Sequence, residues 1–292
     1  MFSGNLVALV TPMEADGAVD YDALERLVDF QIENGTAGIV AVGTTGESCT
    51  LTVEEHIEVV RRVVKSAAGR VPVIAGTGAN ATHEAIELTR LAKDAGADAC
   101  LLVTPYYNKP TQEGLYQHYR KIAAAVDIPL ILYNVPSRTA CDLKPETVER
   151  LAQCPNIVGV KEAPSIERNR ELLARVGGRM ALLSGDDDLA CESVLAGFQG
   201  VISVTANAAP RQVRAVIDAA LAGRREEARR LDAGLQRLHK ALFVETNPIP
   251  IKWAVARLGL IGEGIRLPLT PLSRQHHGML IEAMQSAGLA FA

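Results

Sequence analysis

Eight short apolar runs recur along the chain, each ending in small or polar residues: "NLVALVTP", "GIVAVGTTGE", "VPVIAGTGAN", "ACLLVTPYYN", "PLILYNVPSRT", "NIVGVKEAP", "ALLSGDDD" and "GVISVTAN". They lack the polar alternation of half-solvated strands, so they read as parallel strands covered on both faces. Between them lie stretches of helical period, such as "YDALERLVDFQIENG" (21–35) and "THEAIELTRLAKDAG" (82–96), each closed by a glycine suited to a helix C-terminus. Thr82 is the expected N-cap of the second. Eight strand–helix units predict an α/β chain folded as a (β/α)8 TIM barrel. A doubly wound open sheet is the alternative, but it usually carries a dinucleotide loop, and "GTGAN" does not complete GxGxxG. After "VTAN" the pattern stays helical to the end. The expected division is therefore a barrel carrying the active site over 1–224 and a C-terminal helical appendage over 225–292.

At 292 residues, with 48% hydrophobic and 22% charged, the chain has room for a sizeable core. A net charge of −4 supplies no basic field for nucleic acid and no polybasic membrane patch. The opening "MFSGNLVALVTPMEADG" does not read as a signal peptide. No run approaches the roughly 20 apolar residues that span a bilayer. Five scattered cysteines (Cys49, Cys100, Cys141, Cys154 and Cys191) without a CxxC pair suit a reduced, cytoplasmic enzyme.

In a (β/α)8 barrel the active site gathers at the C-terminal strand ends, and here these carry hydroxyls, glycines and one amine. None of the six histidines stands at a strand end or in HExxH spacing, so no metal is expected. The run Asp186–Asp188 reads first as a cap for the following helix, with a hard cation as the alternative. Of eight lysines, Lys161 alone terminates an expected strand. Its structural reading is an ion pair with Glu162 or another acid, although adjacent strand residues point to opposite faces. Its functional reading is a Schiff-base amine, made nucleophilic by a dry barrel mouth that lowers its pKa toward about 7–8.

"VGTTGES" (42–48) adds a tight turn in which Gly43 and Gly46 are expected to expose N–H groups beside the Thr44 and Thr45 hydroxyls, a cradle for a carboxylate. "LYNVPSRT" (132–139) adds Tyr133 as a proton-relaying phenol and Arg138 as a bidentate carboxylate fork.

Together "GTTGE", "TPYYNKP", "YNVPSRT", "GVKEA", "SGDD", "GVISVTAN", "NPIPIKWA" and "IRLPLTPLS" resemble the dihydrodipicolinate synthase family. This family belongs to the pyruvate-dependent class I aldolases that include N-acetylneuraminate lyase. The resemblance covers essentially the whole chain. It implies a lyase of diaminopimelate and lysine biosynthesis that condenses pyruvate with L-aspartate 4-semialdehyde to 4-hydroxy-tetrahydrodipicolinate. No cofactor is implied beyond the covalent imine on Lys161. Tyr133 would move protons, linked through Thr44 to Tyr107, which in the family reaches in from the neighbouring subunit of a tight dimer within a homotetramer. Thr45 and the backbone at Ile202 would hold the pyruvate carboxylate, Arg138 the carboxylate of the second substrate, and Gly185 would share that pocket. L-lysine is implied as an inhibitor at a site matching Ser48, Cys49, His56, Asn80, Glu84 and Tyr106. Cys49 and Val53 depart from the lysine-sensitive pattern, and Val53 cannot hydrogen-bond, so weak or partial inhibition is expected. The rival reading is an N-acetylneuraminate or 2-keto-3-deoxy sugar acid aldolase. Arg138 speaks against it, because a sugar calls for hydroxyl-binding groups there. A non-catalytic barrel is a further alternative, disfavoured because Lys161, Tyr133, Thr44 and Tyr107 are all present.

Overall fold

The computed structural model describes residues 2–162 and 165–291, so Ala163 and Pro164 of the "NIVGVKEAP" run lie outside the described residues. Eight parallel strands close into a barrel in chain order: β1 (Gly4–Ala8), β2 (Gly38–Ala41), β3 (Val73–Gly76), β4 (Ala99–Val103), β5 (Leu130–Asn134), β6 (Ile157–Glu162), β7 (Ala181–Ser184) and β8 (Gly200–Ser203). The runs look uniformly apolar because both faces are buried, yet a period of two governs them. On β5, Leu130 and Leu132 point outward to the helices, whereas Ile131 and Tyr133 point into the barrel with Leu6, Val40, Ile74, Leu101, Leu183 and Ile202. Each such large side chain contributes about 1.5–3 kcal/mol relative to exposure. The barrel closes where β8 meets β1, and Gly200 permits the closure: a Cβ there would lie 2.1 Å from the Gly4 carbonyl oxygen.

The helix Tyr21–Glu33 starts on Asp20, whose carboxylate accepts from the Ala23 N–H at 2.8 Å, and Gly35 follows it at φ 81°. The helix Thr82–Asp94 corrects one expectation. Its N-cap is Ala81, and the Thr82 hydroxyl instead meets His118 Nδ1 on the next helix at 2.9 Å. The eighth barrel helix, Pro210–Leu221, is followed by helices Arg225–Ala233, Gln236–Ala241, Ile249–Arg257 and His277–Ser286. Among the described residues no helix is long and apolar enough to cross a membrane, and the five cysteines are free thiols.

Candidate active site

The β5–β6 register sets Tyr133 directly beside Lys161 on the inner face, and Asn134 beside Glu162 on the outer one. Both inward residues open onto a cavity of about 510 Å³ at the C-terminal mouth, lined also by Gly43, Thr44, Thr45, Arg138, Gly185 and Asp186. The Lys161 ammonium lies 4.4 Å from the centroid of the Tyr133 ring. Glu162 points away and accepts from Asn134 Nδ2 at 3.0 Å, with Arg168 at 3.7 Å. Among the described residues no carboxylate lies within ion-pair distance of Lys161.

Burial decides the electrostatics. Desolvation lowers the Lys161 pKa to about 8, against the opposing pull of Asp186 and Asp187, while Arg138 lowers it further. Burial raises Tyr133 to about 12 in spite of Arg138 and a hydrogen bond from Thr44. Asp186 is raised to about 6 by burial and by Asp188, with Lys161 acting against that rise. The site therefore holds an amine that titrates at about 8 beside a phenol that keeps its proton at neutral pH.

The loop after β2 differs from its expected form. The N–H groups of Gly46, Glu47 and Ser48 are consumed by carbonyls of Gly43 and Thr44 within the turn. Among the described residues, the N–H groups of Gly43, Thr44 and Thr45 have no protein acceptor, whereas that of Gly46 is consumed, so the cradle is smaller than expected. Gly46 is sterically compelled, since a Cβ would sit 2.9 Å from Val42 Cα; Gly43 is not, its nearest contact being 3.7 Å. The left-handed positions are Val42 (φ 49°) and Glu47 (φ 58°), neither of them glycine. Such backbone persists only where its surroundings enforce it.

The aspartate run also differs. Asp186 occupies the N-cap position of the helix Asp187–Ala196 but makes no side-chain cap bond, and instead lines the cavity. The Asp187 carboxylate accepts from the Ser203 hydroxyl and from the Val204 and Thr205 N–H groups at 2.9 and 3.0 Å, fastening the end of β8. Asp187 thus serves a strand end rather than its own helix.

Arg138 lines the cavity and donates Nη2 to the Asn247 carbonyl at 3.2 Å; among the described residues it has no carboxylate partner. Gly185 lines the cavity, whereas Ile202 packs below it within the barrel and Val204 takes the lining position. Tyr107 is not brought into this cavity: it is 88% exposed at φ 75°. Nor do Ser48, Cys49, His56, Asn80, Glu84 or Tyr106 line it. Tyr106 hydrogen-bonds the Asn80 backbone, and burial, Cys49 and Glu84 raise its phenol. The buried His56 ring meets the Gly76 carbonyl at 2.8 Å. Phe243, Thr246 and Asn247, from the C-terminal region, also line the cavity, and the sequence reading missed them. Asn247 donates to Thr45 Oγ1 at 3.0 Å. The only sequence signal for it was the unassigned "NPIPIKWA" motif.

The model of the dihydrodipicolinate synthetase family matches residues 1–287. The 4-hydroxy-tetrahydrodipicolinate synthase of Alkalilimnicola ehrlichii is 62% identical over 288 residues, covering 99% of each chain. The chloride-inhibited dihydrodipicolinate synthase of Acinetobacter baumannii, solved with pyruvate, is 55% identical with a TM-score of 0.98, over 99% of this chain and 100% of that one. The dihydrodipicolinate synthase of Cyanidioschyzon merolae with lysine bound is 42% identical with a TM-score of 0.96, over 99% of each chain.

Proposed function

The chain belongs to the dihydrodipicolinate synthetase family, and we propose that it condenses pyruvate with L-aspartate 4-semialdehyde to 4-hydroxy-tetrahydrodipicolinate, the entry to diaminopimelate and lysine synthesis. The observation that carries this reading is Lys161, a buried amine with its pKa lowered to about 8, stacked on Tyr133 at the barrel mouth.

Neutral Lys161 attacks C2 of pyruvate, and loss of water leaves an iminium on Nζ. Removal of a C3 proton gives the enamine, with the iminium nitrogen taking up the electron pair. C3 then attacks the aldehyde carbon, whose oxygen becomes the 4-hydroxyl after protonation. The amine of the second substrate next attacks C2, closing the ring and expelling Lys161 as a free amine. Tyr133 keeps its proton at neutral pH, and Thr44 is hydrogen-bonded to its phenol. That pairing suits a group that gives a proton in one step and recovers it in another. Thr45, with the N–H groups of Thr44 and Thr45, is the cradle for the pyruvate carboxylate, and Gly185 borders the same space. Arg138 supplies the fork for the carboxylate of the semialdehyde.

The exposed Tyr107 fits a role completed by a second copy of the chain, within a dimer of tight dimers. Lysine is proposed as a weak inhibitor at Ser48, Cys49, His56, Asn80, Glu84 and Tyr106, supported by the lysine-bound relative. The test is turnover of purified protein with pyruvate and either aspartate semialdehyde or N-acetylmannosamine. Turnover of the semialdehyde is expected, and Arg138→Ala should raise its KM about 10- to 100-fold, the usual worth of a charged hydrogen-bonded contact. Turnover of N-acetylmannosamine alone would overturn the assignment.

A further inference from the structure

The helical region after residue 224 grips the loop that carries Thr44 and Thr45. Asn247 donates to Thr45 Oγ1 at 3.0 Å, and its carbonyl accepts from Arg138 at 3.2 Å. Further along, Lys252 stands in the helix Ile249–Arg257 with 4% of its side chain exposed. Its ammonium is paired with the carboxylate of Glu47, whose side chain is wholly buried. The second Glu47 oxygen accepts from the Arg266 backbone N–H at 3.3 Å. Arg266 is anchored in turn by a two-pronged contact to Glu55 at 2.7 and 2.6 Å, and it donates to the Gly17 and Thr50 carbonyls.

Glu47 is the last residue of the turn whose two ends, Val42 and Glu47, are both left-handed without being glycine. A turn so bounded relaxes unless something holds it. A buried ion pair is a poor source of stability, since well-packed apolar side chains commonly serve as well. Its presence here therefore asks for a positional reason. Neither Glu47 nor Lys252 lines the cavity, so neither touches substrate.

We propose that the Glu47–Lys252 pair is a positioning device, by which the C-terminal helix holds the Val42–Glu47 turn so that Thr44 meets Tyr133 and Thr45 faces the pyruvate carboxylate. The proposal rests on the reading of this cavity as a pyruvate site, and it gives the C-terminal helices a part in catalysis.

The test uses the full chain with Lys252→Met, which keeps the length and removes the charge, and the double variant Glu47→Gln/Lys252→Met. Borohydride trapping counts the imine-forming sites, and steady-state kinetics give KM and kcat separately. Lys252→Met is expected to trap one pyruvate per chain at saturation while its pyruvate KM rises about 10-fold or more and kcat falls by a similar factor. The double variant leaves no lone buried carboxylate and should show a smaller KM rise, about 3- to 10-fold; it carries the test if the single variant fails to fold. A lower trapped fraction at unchanged KM would mean a merely structural pair and would overturn the proposal, as would wild-type kinetics in the double variant. Wild-type protein that traps no pyruvate would instead overturn the pyruvate reading, and this proposal with it.

Discussion

The lowered pKa of Lys161 makes a quantitative claim about nucleophile supply. With a pKa of about 8, roughly one amine in ten is neutral at pH 7, against about three in ten thousand for an ordinary lysine near 10.5, a gain of roughly 300-fold. Imine formation with pyruvate should thus rise about tenfold per pH unit below pH 8 and level off above it. Asp186 opposes this shift, because a carboxylate favours the ammonium form. Its own pKa of about 6 means that it is ionised over the window between about 6 and 8 where the amine titrates. Asp186→Asn should therefore move the midpoint of the profile to lower pH, by on the order of one unit, with the plateau retained. The assay is the initial rate of borohydride trapping with pyruvate alone, from pH 5.5 to 9.5, so that the second substrate does not enter. A wild-type midpoint near 10.5, or a midpoint that rises in Asp186→Asn, would refute the reasoning. The same shift lowers stability. The ammonium is disfavoured in the fold, so stability rises with pH from about 8 to 10.5. Below pH 8 Lys161→Met should be the more stable protein, by up to about 3 kcal/mol in chemical denaturation.

Tyr133→Phe should still form the imine but turn over about 10²- to 10⁴-fold more slowly, the usual span for a positioned acid–base group; near-normal turnover would remove Tyr133 from the relay. Gly46→Ala places a Cβ 2.9 Å from Val42 Cα and should cost about 1–3 kcal/mol, a Tm lowered by several degrees in calorimetry, with weaker pyruvate binding. An unchanged Tm would mean that the turn relaxes freely. Lysine should inhibit weakly or partially in a coupled assay, because Val53 offers no hydrogen bond; potent inhibition at low lysine would contradict this.

The barrel was legible because its eight strands are short, buried on both faces and regularly spaced, a pattern that parallel sheets enforce. Lys161 stood out for a related reason: an ammonium ending an apolar strand is expensive to desolvate, so it calls for an explanation. Asn247, Lys252 and Glu47 were not legible as a unit. Glu47 and Lys252 are separated by 205 residues, and nothing periodic links a turn after the second strand to a helix near the C-terminus. Asp187 does not act as a cap because N-cap preference is a local signal, whereas the groups that donate to its carboxylate, on Ser203, Val204 and Thr205, lie at the neighbouring strand end. The expectation of exposed N–H groups around Gly46 failed because the turn satisfies them internally. Thr82 failed similarly, its hydroxyl being drawn to His118 across a helix–helix contact. Tyr107 lies exposed at a left-handed φ, and the reach toward a second chain proposed for it is a matter of assembly that a single sequence pattern does not encode.

The most direct test of the central claim is mass spectrometry after borohydride reduction in the presence of pyruvate. Wild-type protein should gain about 72 Da per chain, the mass of pyruvate less water plus two hydrogens, mapped by proteolysis to Lys161. Lys161→Ala should gain nothing. An unlabelled wild type, or a label that persists elsewhere in Lys161→Ala, would contradict an imine mechanism at this residue.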